Sequence, residues 1–289
     1  MEYISRLALN YPSSAIRDMF RLAASMDDLV NLCNGEPDFD TPQHIKDSAK
    51  RALDAGMTKY ATEPGLLTMR SAVARKYTAQ FQKPFDPDQV MISIGGVEGI
   101  FLCLAATMNP GDEVIVPDPA YTCYEGQILT LGGKPVRVPL FEENGFMLQP
   151  EDLERAITDK TKAVILCYPS NPLGAVLKRE DGERLARIIK KHQILVISDE
   201  VYENIIFDGR KHFSMAQIDE IADQVLVVNS LSKTYAMTGW RLGYVVSSNR
   251  TIMQHMYTMQ QAVASCIPTF IMQAGADALN GPQDCVEEM

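Results

Sequence analysis

Short apolar runs and amphipathic stretches alternate along the chain from about residue 90 onward. Seven runs rich in Val, Ile and Leu predict β-strands, at residues 90–94, 113–117, 136–138, 163–167, 194–197, 225–228 and 242–246. Between them, apolar residues at helical spacing predict helices at 97–108, 121–131, 150–157 and 178–192. In the last of these helices, Leu185, Ile188 and Ile189 form an apolar face and charged residues lie opposite.

Strands that alternate with helices indicate βαβ units. Such units form a largely parallel sheet with right-handed crossover connections, so the chain is predicted to have an α/β fold. In sheets of this kind, ligands bind beyond the carboxyl ends of the strands. The loops that follow strands are therefore the places to search for chemistry.

The composition narrows the classes of function. The chain has 289 residues, 46% of them hydrophobic, and 27 Lys and Arg against 37 Asp and Glu give a net charge of −10. This acidic balance argues against nucleic acid or an anionic membrane as the main partner. The six cysteines are scattered and form no C-x-x-C pair, so neither a metal site nor a disulfide framework is expected. Because the N-terminus has no signal-peptide pattern and no apolar run could span a bilayer, we expect a cytoplasmic protein.

Four strand ends carry segments with possible chemistry. They are Gly95-Gly-Val-Glu98, the segment 168–174 with Asn171, the segment 198–202 with Asp199, and the segment 229–233 that ends at Lys233 and is followed by 239–243. Each has an ordinary structural interpretation when taken alone. Gly-Gly and Asn-Pro are typical of turns, an Asp after a strand is typical of a helix N-cap, and a Lys in a Ser-rich loop is usually solvated. The free N–H groups of the helix start after Gly95 could also bind an anion.

Several common active-site motifs are absent from the sequence. The acidic residues after strand 194–197 suggest a P-loop ATPase, but Gly133-Lys134 is followed by Pro135, and Ile128 stands where the first glycine of that motif belongs. Neither a G-x-G-x-x-G dinucleotide motif nor a G-x-S-x-G nucleophile elbow occurs. The spacing of the four histidines indicates neither a metal site nor a catalytic triad.

The strand-end segments are informative as a set. Ser230-Leu-Ser-Lys233 with Gly239-Trp-Arg-Leu-Gly243 resembles the lysine signature of class I pyridoxal-phosphate aminotransferases, which have fold type I. Five further segments agree with that family in order: Asn34-Gly-Glu-Pro-Asp-Phe39, Lys59-Tyr60 with Gly65, Asp118-Pro-Ala-Tyr121, Asn171-Pro-Leu-Gly174 and Asp199-Glu-Val-Tyr202. The resemblance extends from about residue 10 to the end of the chain. It implies a three-layer αβα fold with a mostly parallel sheet, pyridoxal 5'-phosphate as cofactor, and transfer of an amino group between an amino acid and a 2-oxo acid.

The resemblance also implies a role for each matching residue around the cofactor ring. Lys233 would carry the cofactor and act as general base and acid, since a desolvated amine near cations has a depressed pKa. Asp199 would pair with the ring nitrogen and keep it protonated. Asn171 and Tyr202 would bind the phenolic oxygen of the ring, and Tyr121 would stack on its face.

The remaining matching residues would bind the phosphate group and the substrate. Arg241, Ser230 and Ser232 would hold the phosphate together with the backbone N–H groups of Gly96 and Val97. Tyr60 would reach the phosphate of the neighbouring subunit, which implies a homodimer with shared sites. Gly35 would lie against the substrate, where a side chain would clash.

The resemblance divides the chain into an N-terminal arm at 1–35, a large cofactor-binding domain at 36–280, and the start of an interdomain helix at 281–289. In the family, a small C-terminal domain supplies the arginine that binds the substrate's α-carboxylate, and no position of this sequence takes that role. We therefore expect a protein that binds pyridoxal phosphate but transaminates poorly.

Two other functions stay open at the level of sequence. A pyridoxal-phosphate lyase that cleaves a carbon–sulfur bond would use the same Lys233 and Asp199. A non-enzymatic cofactor-binding fragment would bind the cofactor without turnover. The amino-acid substrate cannot be read from the sequence, because specificity in this fold depends partly on the segment 11–20 and partly on the small domain. Met253, Met256 and Met259 are interpreted as packing residues.

Overall fold

The structure of the chain is a computed structural model that describes residues 3–9, 11, 19, 22–23, 25–26, 28–30, 35–61 and 64–289. Asn34 and most of the segment 11–20 lie outside the described residues, as does most of the predicted arm at 1–35. None of the helices in the described part of the chain has the length and hydrophobicity needed to cross a bilayer.

One sheet forms the centre of the described part of the chain. Its seven strands are β1 (Val90–Ser93), β2 (Glu113–Asp118), β3 (Lys134–Pro139), β4 (Thr161–Cys167), β5 (Leu195–Asp199), β6 (Val225–Ser230) and β7 (Gly243–Val246). Their order is β1-β7-β6-β5-β4-β2-β3, and β7 is antiparallel to both of its neighbours while the other pairs are parallel. The predicted strands and the mostly parallel sheet are confirmed, with strand ends that differ by no more than two residues.

The described part of the chain has α-helices before, between and after the strands. They are α1 (Arg6–Leu9), α2 (Gln43–Asp54), α3 (Leu67–Phe81), α4 (Gly95–Thr107), α5 (Cys123–Thr130), α6 (Pro150–Ala156), α7 (Arg179–His192), α8 (Leu231–Thr234), α9 (Arg250–Val263), α10 (Thr269–Asn280) and α11 (Asp284–Glu288). The four predicted helices correspond to α4, α5, α6 and α7. Two of their starts differ by two residues: α4 begins at Gly95 rather than after the glycines, and α5 begins at Cys123, which leaves Tyr121 in the preceding loop. The start of α7 differs by one residue.

The strands are buried on both faces, which is why they read as continuous apolar runs. In β4, Val164 and Leu166 belong to one hydrophobic cluster, whereas Ala163 and Ile165 belong to another, as the two-residue period of a strand requires. Helices α2, α3, α6, α7 and α10 pack into the first cluster, and α4, α5 and α9 into the second. The fold is thus the three-layer αβα arrangement that was predicted. Met253 and Met256 are fully buried and Met259 is partly buried in the second cluster, as expected of packing residues.

The carboxyl ends of the three central parallel strands lie side by side. Cys167 at the end of β4 pairs in register with Asp199 at the end of β5, and Asp199 pairs with Val228 of β6. The segments 168–174, 199–202 and 230–233 therefore leave the sheet from one edge. This topology brings together strand ends that are far apart in sequence.

Candidate active site

Lys233 lies in the short helix α8, immediately after the central strand β6. The hydroxyl of Ser230 caps this helix by accepting the Ser232 N–H at 3.0 Å. The Lys233 amine donates a hydrogen bond to the Gly35 carbonyl and lies 5.7 Å from the centre of the Tyr202 ring. Burial lowers the pKa of Lys233, and nearby Arg241 lowers it further, although Glu36 and Asp199 oppose the change. A larger share of the amine is therefore unprotonated near neutral pH.

Asp199 is a buried carboxylate on the strand next to that of Lys233. Its side chain is 5% exposed, and its Oδ2 atom accepts a 2.7 Å hydrogen bond from the Tyr124 hydroxyl. The other oxygen, Oδ1, accepts the Val201 N–H at 3.3 Å. Burial raises the pKa of Asp199 to about 6, against the effect of these two donors. The predicted alternative, a plain helix N-cap, is wrong for this residue, because the segment after β5 forms turns rather than a helix.

Asn171, Tyr202 and Tyr121 approach the same space from three different loops. The Asn171 amide donates to the Tyr202 hydroxyl at 3.4 Å. Burial raises the pKa of Tyr202 to about 12, so the phenol stays protonated at neutral pH. The Tyr121 ring packs edge-on against Tyr124, with ring centres 5.5 Å apart.

An anion-binding cradle forms where helix α4, the lysine turn and Arg241 meet. Helix α4 begins at Gly95 with a positive φ of 67°, and a Cβ atom at that position would collide with the Arg241 guanidinium. Arg241 is anchored by donation to the Thr238 carbonyl at 2.8 Å. The Ser230 and Ser232 hydroxyls are 2.8 Å apart. A guanidinium, two hydroxyls and a helix start with free N–H groups are suited to an anion with several oxygens.

These groups line one cavity of about 670 Å³. Eleven of the predicted site residues contribute to its wall: Gly35, Gly96, Val97, Tyr121, Asn171, Asp199, Tyr202, Ser230, Ser232, Lys233 and Arg241. Tyr60 does not line it, and its side chain is 88% exposed. A Cβ atom on Gly35 would be 3.5 Å from the Tyr202 hydroxyl, an ordinary van der Waals distance, so the protein itself leaves room for a small side chain there.

A second cavity of about 660 Å³ adjoins the first. Gly35, Glu36, Tyr202 and Lys233 line both cavities. The walls that belong only to the second are partly apolar, with Phe39, Ile205 and Phe207. Lys233 therefore contributes to the walls of both cavities.

Sequence reasoning missed several residues that the structure places at the site. Tyr124 binds Asp199, Glu36 is one of the charges that act on Lys233, and Cys167 and Thr238 line the cavity. Glu36 is adjacent to the predicted Gly35, so its position in the motif could have indicated it. Tyr124 and Cys167 belong to an ordinary helix turn and strand, and no local pattern distinguishes them.

Behind the site, a buried polar cluster holds the loop after β5. Glu200, Glu203 and His212 have side-chain ligand atoms within 4.8 Å of one another, an arrangement that the histidine spacing did not indicate. Protein donors occupy these carboxylates. Glu200 accepts hydrogen bonds from Ser198, Ser214 and His212, and Glu203 accepts from Lys76 and Asn229. The cluster is thus satisfied as a structural hydrogen-bond network.

Comparisons with known proteins agree with this arrangement. A family model described as aminotransferase class I and II matches residues 27–289. The chain is 44% identical to an aspartate aminotransferase of Pyrococcus abyssi and 41% identical to aromatic-amino-acid aminotransferase 2 of Thermococcus litoralis, in each case over 100% of this chain and 75% of the relative. The solved structure of Thermus thermophilus aspartate aminotransferase with maleate is similar with a TM-score of 0.93 at 35% identity, over 100% of this chain and 75% of that one. An aromatic aminotransferase from Pyrococcus horikoshii has a TM-score of 0.88 at 43% identity, over 95% of this chain and 74% of that one.

Proposed function

The chain belongs to the class I and II aminotransferase family, and we propose that the cavity around Lys233 binds pyridoxal 5'-phosphate and is the site of amino-group transfer. Enzymes of this family use pyridoxal phosphate to move an amino group between an amino acid and a 2-oxo acid. The relatives named above are aminotransferases, which favours this reaction over carbon–sulfur cleavage. The observation that carries the proposal is the convergence in one cavity of an amine with a lowered pKa, a buried carboxylate and an anion-binding cradle.

The residues present match the chemistry of that cofactor. A phosphate group needs positive charge and several donors, which Arg241, Ser230, Ser232 and the N–H groups of Gly96 and Val97 supply. A pyridine ring needs an acidic partner for its nitrogen, which Asp199 supplies. When bound, the cofactor serves as an electron sink for negative charge that develops at the substrate's α-carbon.

Lys233 has two tasks in this proposal. Its amine attaches the cofactor, and the lowered pKa favours the nucleophilic, unprotonated form. When it is not attached to the cofactor, the same amine would take the proton from the substrate's α-carbon as general base and give a proton back as general acid. The presence of Lys233 in the walls of both adjoining cavities supports this, because the residue must reach both the cofactor and the substrate.

The other ring contacts orient the cofactor. Asn171 and Tyr202 would donate hydrogen bonds to the phenolic oxygen, and Tyr121 would cover one face of the ring. Because these three side chains come from separate loops, the ring position is fixed from several directions. Gly35, which lines both cavities, would lie against the substrate.

The described lining of the two cavities has Lys233 and Arg241 as its basic residues. That the substrate's α-carboxylate binds an arginine of a small C-terminal domain stays a prediction, as do the division into an arm, a large domain and an interdomain helix, and the poor transamination of this chain. Helix α11 (Asp284–Glu288) is compatible with the predicted helix start at 281–289. The cytoplasmic location also stays a prediction.

A homodimer with shared sites is part of the same proposal. Tyr60 is 88% exposed and does not line the cavity of its own chain, so its hydroxyl is free to reach a neighbouring subunit. In the partner, it would contact the phosphate group. This is the role that the resemblance implies for it.

The proposal is tested by trapping the cofactor. The protein is mixed with pyridoxal phosphate, its visible absorbance is recorded before and after borohydride reduction, and the labelled peptide is mapped. We expect an absorbance band in the unreduced protein and a permanent label on Lys233. Lys233→Ala should lose both, whereas Lys211→Ala, at an exposed lysine, should keep both.

Turnover is then measured with a panel of amino acids that includes aspartate and aromatic ones, each with a 2-oxo acid. Formation of the corresponding new amino acid supports amino-group transfer. A label that falls on another lysine, or a folded protein with no band, would contradict the proposed site.

A further inference from the structure

Tyr124 is a buried tyrosine that does not belong to any of the segments with family resemblance. It lies in the first turn of α5, is 1% exposed, and directs its hydroxyl toward the end of β5. There it donates a 2.7 Å hydrogen bond to Oδ2 of Asp199, which is 75 residues away in sequence. Cys167, the register partner of Asp199 on β4, also lines the cavity beside this tyrosine, and its thiol donates to the Pro169 carbonyl at 3.6 Å.

Asp199 needs such a donor because its surroundings oppose its charge. The carboxyl is 5% exposed, and the adjacent Glu200 carries a second carboxylate that disfavours ionisation. The backbone N–H of Val201 contributes a long hydrogen bond of 3.3 Å. The short bond from Tyr124 is therefore the stronger of the two protein donors to this group.

We propose that Tyr124 is a positioning residue, whose hydroxyl fixes one oxygen of Asp199 and keeps the carboxyl ionised, so that the other oxygen is ready for a protonated ring nitrogen. The inference rests on the proposed function, because it assigns Asp199 the cofactor nitrogen as its partner. It goes beyond that function by naming the residue that sets the state of this carboxylate before any ligand is bound.

Tyr121 and Tyr124, three residues apart, have different contacts in the local structure. Because α5 begins at Cys123 and not at residue 121, Tyr121 stays in the preceding loop. Both tyrosines line the cavity, and it is the Tyr124 hydroxyl that reaches Asp199. The two rings are in edge-to-face contact with an interplanar angle of 82°. The Tyr121 ring, which would contact the cofactor, thus packs against the Tyr124 ring, whose hydroxyl binds Asp199.

The ionisation of Asp199 depends on all groups that face it. They are Tyr124 of α5, Tyr121 of the preceding loop, Cys167 of β4, Glu200 and Tyr202 of the loop after β5, and Lys233 of α8. Lys233 and Tyr124 favour the carboxylate, and Glu200 disfavours it. Removal of the Tyr124 hydroxyl leaves the other members in place, so its effect can be isolated.

The first test uses the protein without cofactor. Aspartate labelled with carbon-13 at the side-chain carboxyl is incorporated, the Asp199 signal is assigned by its loss in Asp199→Asn, and its titration is followed by NMR. In the wild-type protein we expect a midpoint below pH 7, and a midpoint above it would overturn the proposal without any variant. In Tyr124→Phe, which keeps the buried ring, the midpoint should rise by at least about one pH unit.

Tyr77→Phe is the matched control. Tyr77 is fully buried and its hydroxyl accepts a hydrogen bond from Asn229 at 3.4 Å, so the variant also removes one buried hydroxyl, but one without contact to Asp199. It should leave the Asp199 midpoint unchanged. An unchanged midpoint in Tyr124→Phe, or an equal shift in both variants, would refute a specific role for Tyr124.

The second test measures the affinity for pyridoxal phosphate as a function of pH. For a one-unit rise of the Asp199 midpoint, we expect Tyr124→Phe to bind about twofold more weakly near pH 7 and up to about tenfold more weakly below the wild-type midpoint. Its affinity should approach that of the wild type as the pH rises, because the carboxyl becomes ionised again. A uniform loss at every pH would indicate simple structural damage and overturn the proposal. If the wild-type protein does not bind the cofactor at all, the proposed function fails, whereas the NMR titration still decides whether Tyr124 controls Asp199.

Discussion

At the scale of single residues, the buried Asp199 lowers the stability of the folded protein when its carboxyl is ionised. Its side chain is buried and its pKa is raised to about 6, mainly by burial. In the unfolded chain the carboxyl has an ordinary pKa near 3.8. The folded state therefore disfavours the charged form, and the stability contribution of Asp199 is full below pH 3.8 and is lost as the pH rises through about 6.

We therefore predict that Asp199→Asn stabilises the cofactor-free protein at about pH 7.5, by roughly 1–3 kcal/mol, and has little effect near pH 4. Urea unfolding at both pH values measures the difference. Asp159→Asn, at an exposed position, should change stability little at either pH. Loss of stability in Asp199→Asn at the higher pH would show that the ionised carboxyl is favourable in the fold and would refute the prediction.

Gly243 is a second residue at which the site constrains the chain. A Cβ atom there would lie 2.5 Å from the Gly95 carbonyl carbon and 2.8 Å from both the Asn229 oxygen and the Gly96 nitrogen. All three neighbours are backbone atoms, so no flexible side chain can give way. The glycine lets β7 approach the start of α4, where the proposed phosphate site lies.

Gly243→Ala is predicted to cost about 2 kcal/mol or more in stability and to weaken binding of pyridoxal phosphate, because α4 must move away from β7. Unfolding and cofactor titration measure the two effects. Gly239→Ala, in the same signature segment, meets nothing within 4 Å of its added Cβ and should be tolerated. If Gly243→Ala and Gly239→Ala have equal effects on stability and cofactor binding, the contact between β7 and the start of α4 is not rigid.

At the scale of elements, a buried ion pair connects helix α3 to the loop that carries Tyr202. Lys76 of α3 donates to Glu203, and Asn229 at the end of β6 donates to the same Glu203 oxygen at 2.7 Å. The Asn229 side-chain oxygen in turn accepts the Ser230 N–H at 2.7 Å. The Glu203 carboxylate thus links helix α3, the loop that carries Tyr202 and the strand β6 that leads to Lys233.

Burial alone would raise the pKa of Glu203, but Lys76 and His212 lower it overall. The pair should therefore stabilise the fold above the unfolded pKa of glutamate and lose this contribution as the pH falls. We predict that Glu203→Gln costs about 3 kcal/mol near neutral pH, since it leaves the Lys76 charge buried without its partner. The exposed pair of Arg179 and Glu183 offers a control, because Glu183→Gln should cost less than about 1 kcal/mol.

Thermal and urea unfolding of both variants at neutral and acid pH measure these costs. The double variant Lys76→Met with Glu203→Gln should recover part of the stability, because no buried charge is left unpaired. If Glu203→Gln and Glu183→Gln have equal effects on stability, the buried pair of Lys76 and Glu203 does not stabilise the loop that carries Tyr202.

At the scale of the whole molecule, the proposed homodimer predicts that each active site contains Lys233 of one chain and Tyr60 of the other. The Lys233→Ala homodimer lacks the amine at both sites, and the Tyr60→Ala homodimer lacks the phosphate contact at both. A hybrid of the two variants has one site with Lys233 from one chain and Tyr60 from the other. That site is intact when the contact crosses the interface.

We expect isolated hybrid dimers to bind pyridoxal phosphate at one site with wild-type affinity and to give one borohydride label on Lys233 per dimer. Tyr60→Ala homodimers should bind it more weakly at both sites. A hybrid of wild type with Lys233→Ala has one intact site under either arrangement and serves as reference. If the Tyr60→Ala hybrid binds as weakly as its homodimer, Tyr60 acts within its own chain.

The sequence by itself determined the strands and the chemistry at their ends. A strand buried on both faces must be continuously apolar, so its pattern is local, and a parallel sheet places the following loops at one edge. For this reason the strand pattern and the motifs group Lys233, Asp199, Asn171 and Arg241 together, and all four line the cavity. The resemblance extended this grouping to Gly35, Gly96, Val97, Ser230 and Ser232, which also line the cavity.

Only the tertiary structure decided which other side chains contact and support those residues. The start of α5 at Cys123 directs Tyr121 into the cavity and Tyr124 onto Asp199, and neither the sequence period nor the motif indicates that choice. Lys76 and Glu203 are 127 residues apart, and each taken alone reads as an ordinary surface charge. Such contacts depend on the rotation and packing of whole helices against the sheet, which a local pattern does not encode.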